Sequence, residues 1–309
     1  MIVTITPNPS IDRTLRIPPL VRGAVLRATA TTSEAGGKGI NVSRALASQG
    51  IATTAVAPLS LGSATIVRAL LGTTIAIEPV GIGGEMRVNV GLVESDGTVT
   101  KVNEPGPELG PADVEALLDR TCRLATNAAW VVGSGSLPPG VPDDFYVTLA
   151  RRLPPATRIA VDADGGALRA CVGQPIHLLK PNRAELEQLV GRSLETLGDV
   201  EKAARELVAL GAETVLVSLG GDGAIVVDAG TSVHGEARID DVVNPVGAGD
   251  ALLAGYLAGG GNRTALATAI GWSVAACRSA GTEMAPLTED DHAAVVVHPR
   301  VDAARRLAA

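Results

Sequence analysis

Aromatic side chains are scarce in this chain: one Phe, two Tyr and two Trp among 309 residues. Positive charge is scarce as well, since 26 Lys and Arg face 33 Asp and Glu and leave a net charge of −7. A nucleic-acid partner therefore lacks both its electrostatic footprint and its stacking platform. Cysteine is limited to Cys122, Cys171 and Cys277, an odd number, far apart and without metal-ligand spacing. That argues against a disulfide framework and for reduced thiols acting as small buried hydrophobes. Every apolar run is broken by Gly, Pro or a charge before the ~20 residues of a membrane span. The opening MIVTITPNPSID has no basic segment followed by a long apolar one, so a signal peptide is not expected. These absences predict a cytoplasmic protein without membrane or nucleic-acid partners.

What is present is aliphatic. The chain is 46% hydrophobic and only 19% charged, with 36 glycines, which suffices for a large core and excludes disorder. With so few aromatics the core must come from small side chains on closely approaching elements, as in a layered α/β protein. Apolar, β-branched runs recur at residues 2–6, 130–133, 158–162, 177–179 and 214–218, and helical periodicity appears at 39–49, 111–125, 143–152, 183–190 and 197–210. This is the rhythm of a parallel sheet covered by helices on both faces. Two stretches, 15–33 and 87–102, instead alternate apolar and polar residues, with Asp96-Gly97 as a tight turn. They predict a small projecting sheet. Another hairpin is expected over 224–233, turning near 228–230. No repeat or low-complexity linker interrupts the chain, so one domain spanning 1–309 is expected, with lid strands within about 12–34 and 86–103.

The segment 244–255, Asn-Pro-Val-Gly-Ala-Gly-Asp-Ala-Leu-Leu-Ala-Gly, carries the most chemistry. Gly247 and Gly249 flank Ala248 and permit a tight turn with exposed amides, and the apolar run after Asp250 reads as a helix. Amides at a helix N-terminus form an anion site. Charge developing on a phosphoryl group in transit is stabilised there, and an adjacent carboxylate can take the proton of an attacking hydroxyl. Asp250 is thus a candidate base; on these residues alone, a helix cap after a glycine turn is an equal reading. A second cluster, Ala35-Gly36-Gly37-Lys38-Gly39-Ile40-Asn41-Val42, also precedes a helical run. It lacks the Gly-x4-Gly-Lys-Ser/Thr spacing of a Walker A loop and the setting of a dinucleotide fingerprint. Its glycines let a ligand approach the backbone, with Lys38 and Asn41 as partners, or they simply turn the chain into a helix.

Together with Asn8-Pro9-Ser10-Ile11-Asp12, Ser134-Gly135-Ser136-Leu137-Pro138, Lys180-Pro181-Asn182 with Glu185, and Ser218-Leu219-Gly220-Gly221-Asp222-Gly223, these clusters resemble, in identity and order, the ribokinase-like PfkB family of carbohydrate kinases. Within it they are most similar to the 1-phosphofructokinase and tagatose-6-phosphate kinase branch. The resemblance implies a three-layer α/β/α body with a mostly parallel sheet and a small β-sheet lid. It implies ATP as co-substrate with Mg²⁺, and transfer of the γ-phosphoryl group to a hexose phosphate. Fructose 1-phosphate is the leading acceptor, with tagatose 6-phosphate or fructose 6-phosphate as alternatives. A non-catalytic sugar or nucleotide sensor is the reading from another class, and an intact Asp250 argues against it because a binder has no need of a base.

The resemblance also assigns roles. Gly247, Ala248, Gly249 and Asp250 perform transfer. Asp12, Gly37, Lys38 and Asn41 hold the sugar phosphate, Arg27 and Arg87 on the lid bind its phosphate through their guanidinium forks, and Ser136 lines the same cleft. Lys180, Asn182, Ser218, Gly220, Gly221, Gly223 and Ser279 surround the nucleotide, with Ser279-Ala280-Gly281 near the adenine. Asn182 and Glu185, one helical turn apart, organise Mg²⁺ through water. Plainer readings stand beside these: a turn residue for Asp12, solvated charges for Arg27 and Arg87, a loop residue for Ser136, a first-turn helix carboxylate for Glu185 and turn glycines over 218–223. Pro245, Met86 and Ser60-Leu61-Gly62 depart from the family pattern on the sugar side, which leaves the acceptor open. Apolar strand residues on a lid also lead to the expectation of a lid-to-lid homodimer.

Overall fold

The computed structural model describes residues 1–239, 242–279, 281, 284 and 286–308, apart from the side chains of Glu289 and His292. In chain order the strands are β1 (Ile2–Ile5), β2 (Ser10–Ile17), β3 (Ala30–Gly36), β4 (Thr53–Leu59), β5 (Ala76–Gly81), β6 (Arg87–Glu94), β7 (Val99–Asn103), β8 (Trp130–Ser134), β9 (Arg158–Asp162), β10 (Leu178–Leu179), β11 (Thr214–Ser218), β12 (Ala224–Asp228), β13 (Ser232–Ala237) and β14 (Val295–His298). The helices are α1 (Lys38–Ser48), α2 (Leu61–Leu71), α3 (Pro111–Ala125), α4 (Phe145–Arg152), α5 (Gly165–Cys171), α6 (Arg183–Val190), α7 (Leu197–Ala209), α8 (Ala248–Ala258), α9 (Leu266–Cys277) and α10 (Glu289–Ala293).

The large sheet runs β14-β13-β12-β11-β10-β9-β8-β1-β4-β5. From β5 to β11 every pairing is parallel, and β12, β13 and β14 close that edge as antiparallel strands. Successive side chains of a strand point to opposite faces, and both faces here are apolar. Val3 and Ile5 join the core under α3 to α7, whereas Ile2 joins the core under α1, α8 and α9. Val215 and Val217 against Leu216 repeat the division. The outcome is the three-layer body read from the sequence. Small residues set its thickness: a Cβ on Gly255 of α8 would lie 2.9 Å from Ala269 Cα and Trp272 Cγ of α9, so only hydrogen fits there.

The small sheet has the order β3-β2-β6-β7. Its outer pairs are antiparallel, but β2 and β6 run parallel, with Ser10 opposite Arg87 and Asp12 opposite Asn89. The turn between β6 and β7 closes on Thr98 N donating to Asp96 Oδ1, with Gly97 at φ 90°. β2 begins at Ser10, earlier than apolar alternation suggests, because four of its first five residues are polar. The β12–β13 hairpin turns where expected, on Asp228 Oδ1 accepting from the amides of Gly230 and Thr231. Periodicity did not reveal β4, α2, β5, α5, α9, α10 or β14. Ser60 caps α2 by accepting from Ser63 N, so the Ser60-Leu61-Gly62 departure is a helix start. No helix of the described residues is long and apolar enough to cross a membrane, and all three cysteines are free.

Candidate active site

β9 ends on Asp162, and its carboxylate is 1% exposed. A bare buried charge of this kind is prohibitively costly, and two lysines compensate it. Lys38 Nζ, at the start of α1, donates to Oδ1 at 2.8 Å, and Lys180 Nζ, just after β10, lies 2.9 Å from Oδ2. Burial pushes the Asp162 pKa up, but the two ammonium groups outweigh it and hold the carboxyl below its ordinary range. Burial likewise works against a charged Lys38, and Asp162 overcomes it, so the ammonium is held well above its usual pKa.

Asp250 is the third residue of α8, a helix opened by Gly247 at φ 85°. The amide of Ala248 donates to Pro245 O at 3.3 Å, while those of Gly247 and Gly249 make no hydrogen bond to a described residue. Asn41 Nδ2 donates to Asp250 Oδ2 at 2.8 Å. The Asn41 amide is itself oriented by Arg44, whose Nη1 donates to Asn41 Oδ1 at 3.1 Å. Burial, then the like charge of Asp162, pushes the Asp250 carboxyl up to about 6, against the opposing pull of Asn41, Lys180 and Lys38. A carboxyl poised there is suited to accept a proton near neutral pH.

On the small-sheet side, Asp12 Oδ1 accepts from Ser10 Oγ at 2.7 Å and Asn89 Nδ2 at 2.9 Å. A Cβ on Gly36 would collide with the Asp12 carboxylate, so the glycine cluster lets β3 pass this acid. Arg87 borders a cleft of about 560 Å³ together with Gly84, Glu104, Gly106 and Asp113, a size suited to a small polar ligand. Burial lowers the pKa of Arg87, with Asp12 and Asp164 acting in the opposite direction. Asn8 Nδ2 donates to Pro105 O at 3.0 Å and to Ser136 Oγ at 3.4 Å. Among the buried polar atoms here, Arg87 Nε, Asn8 Oδ1, Asn89 Oδ1, Thr6 Oγ1 and Ser134 Oγ have no hydrogen-bond partner among the described residues. Such groups are uncommon, and each left unpaired costs about 1–3 kcal/mol.

On the opposite side, Asn182 Oδ1 accepts from Glu185 N and Glu185 Oε2 accepts from Asn182 N, each at 2.8 Å. This is a capping box at the head of α6, the plainer reading of Glu185; its Oε1 nonetheless lies 4.0 Å from Lys38 Nζ. Ser218 bridges to Asn182 in parallel register. Gly220, Gly221 and Asp222 form a short 3-10 turn, with Gly220 and Gly223 in left-handed conformation. Ser279 is buried after α9 and donates to Ala275 O, whereas Ala280 lies outside the described residues. Arg27 sits exposed between β2 and β3 and pairs with no described residue.

The structure thus gathers Lys38, Asn41, Lys180, Glu185 and Asp250 around Asp162, and leaves Arg27 outside. Asp162, Arg44 and Asn89 were not singled out from the sequence. Asp162 alone carried a legible signal, as a carboxylate at the carboxyl end of a parallel strand, where open α/β sheets bind ligands.

A parallel sheet helical on both faces, a small sheet that leaves the carboxyl end of β1 and returns into α1, and a buried carboxylate on a glycine-headed helix make a cleft in which a base and an anion-binding turn lie side by side. Residues 5–288 match the profile of the pfkB family carbohydrate kinases. The chain belongs to that family. It is 39% identical over 260 residues to a 1-phosphofructokinase of Haloferax volcanii, covering 84% of this chain and 83% of that one. It is 35% identical over 263 residues to a 1-phosphofructokinase of Xanthomonas campestris, covering 83% of each. The phosphofructokinase-2 of Escherichia coli, in a crystal structure with fructose-6-phosphate, superposes with a TM-score of 0.82 at 31% identity, over 94% of this chain and 96% of its own.

Proposed function

We propose that this chain transfers the γ-phosphoryl group of MgATP to fructose 1-phosphate, forming fructose 1,6-bisphosphate, with Asp250 as general base. The observation that carries the reading is the buried Asp250 carboxylate beside two unengaged glycine amides, tied by Asn41 to the glycine cluster of the sugar side. The base removes the proton of the attacking hydroxyl while the amides of Gly247 and Gly249 receive the phosphoryl oxygens. The unpaired polar atoms of Asn8, Arg87 and Asn89 match what a polyhydroxylated anion supplies, with Asp12 accepting from sugar hydroxyls, Arg87 reading the phosphate and Ser136 lining the same cleft. Lys38, held by Asp162, faces the transferred group. Lys180, Ser218, Gly220, Gly221, Gly223 and Ser279 line the nucleotide side.

Glu185 fits Mg²⁺: one carboxylate oxygen lies outside the cap and would hold the cation through water, as oxygen donors suit a hard cation. Asn182 spends its amide oxygen on the cap and so orients Glu185. When bound, the cation would supply charge neutralisation to the ATP phosphates. The small sheet acts as a lid that excludes water. Leu20, Val21 and Val25 are exposed beside it, which supports lid-to-lid pairing with a second copy. Three free cysteines fit a cytoplasmic enzyme.

Fructose 6-phosphate is the second reading, favoured by the E. coli relative that binds it. A coupled ADP-release assay comparing kcat/KM for fructose 1-phosphate, fructose 6-phosphate, tagatose 6-phosphate and free fructose decides. Highest kcat/KM for fructose 1-phosphate supports the proposal; preference for a 6-phosphate replaces the acceptor, and no turnover with any overturns it.

A further inference from the structure

At the β14 edge of the large sheet, behind the Gly220–Gly223 turn, His234 of β13 stands directly opposite His298 of β14, and Glu236 lies two residues along β13 on the same face. One donor atom from each of the three lies within 4.8 Å of the others. The two imidazoles are stacked with centroids 5.5 Å apart and planes within 9°. His298 Nε2 and Glu236 Oε1 are 3.0 Å apart.

We propose that His234, Glu236 and His298 form a site for a borderline divalent transition cation of the zinc type. Two imidazoles and one carboxylate make a three-ligand set that leaves a fourth position to water. Nitrogen donors disfavour Mg²⁺ and Ca²⁺, which select oxygen.

A metal-ligating side chain is normally oriented by a further hydrogen bond, and two of these ligands already have one. The Nε2 of buried His234 lies 2.8 Å from the carbonyl of Asp222; a carbonyl only accepts, so Nε2 carries the proton and Nδ1 keeps its lone pair. Glu236 Oε2 is held by Arg305 Nη2 at 2.8 Å, and the same nitrogen lies 3.3 Å from Asp222 Oδ1. His298 is the more exposed of the two imidazoles and provides the entry path.

The test is equilibrium dialysis of the untagged, chelator-stripped full chain against Zn²⁺ in excess Mg²⁺, with Co²⁺ as a spectroscopic probe. One Zn²⁺ per chain is expected, with a rise in Tm on loading. His298→Ala, at a half-exposed position that tolerates truncation, and Glu236→Gln should each weaken binding by at least ~10-fold, the scale set by perturbing a metal's surroundings. The Co²⁺ spectrum should carry no intense sulfur-to-metal charge-transfer band. Absence of zinc binding, unchanged binding in His298→Ala, or a sulfur band assigning the metal to cysteine would each overturn the site.

Discussion

Asn41 and Asp250 lie 209 positions apart in sequence and meet through a 2.8 Å hydrogen bond, Nδ2 donating to Oδ2. The bond joins the first turn of α1 to the first turn of α8, each opened by a glycine, and it favours the ionised carboxylate. A base works only when deprotonated, so kcat/KM should fall as pH drops through about 6, the value to which burial and Asp162 raise this carboxyl. Removing the donor in Asn41→Ala should move that acidic limb upward by ~0.5–1 pH unit, the equivalent of one hydrogen bond. Activity should recover as pH rises toward 8. A pH profile of kcat/KM for the two proteins measures the shift; identical limbs would detach Asn41 from the base.

Asp250→Asn should reduce kcat by at least ~10²-fold with ATP binding nearly intact, as expected for loss of a general base. Its effect on stability has the opposite sign. A folded pKa above the unfolded one means that ionised Asp250 costs the fold free energy at neutral pH, on the order of 3 kcal/mol for a shift of about two units. The variant should therefore unfold at higher temperature at pH 7–8, and the advantage should vanish below about pH 4, where the unfolded carboxyl is protonated too. Differential scanning calorimetry at both pH values tests this.

Asp162→Asn leaves Lys38 and Lys180 without their shared partner. Breaking a buried ion pair from one side costs about 3–5 kcal/mol, so urea unfolding at pH 7 should show a loss of that order. The gap should narrow in acid, because a carboxyl with a depressed pKa contributes stability only while ionised and loses it as pH falls. An unaltered midpoint would mean the lysines find other partners.

Arg87→Ala should raise KM for the sugar phosphate while leaving kcat/KM for the unphosphorylated sugar little changed, since the guanidinium is proposed to read the phosphate. Arg87→Lys should restore only part of the loss, because an ammonium lacks the fork that matches phosphate oxygens. Equal impairment of both substrates would place Arg87 in a structural role.

How far the sequence speaks can be followed element by element. The repeated β-branched runs and the intervening helical periods determined the layered parallel sheet, because burial on both faces requires apolar residues of either parity along each strand. The order of the glycine clusters determined the family, and the Gly247–Asp250 turn with Lys38 and Asn41 marked most of one end of the site. Short elements such as β5, interrupted by Glu78 and Pro79, and the Gly- and Ala-rich α5 were not legible, since their apolar pattern is too brief to distinguish strand from helix. Tertiary structure alone decided the rest. The parallel pairing of β2 with β6 brings Asp12 beside Asn89 across 77 positions. Packing of β9 between β8 and β10 places Asp162 where two lysines compensate it, and that carboxylate then raises the pKa of Asp250. A local pattern encodes which face of an element is buried; which charges share that burial depends on contacts between distant segments, and only the folded chain sets those.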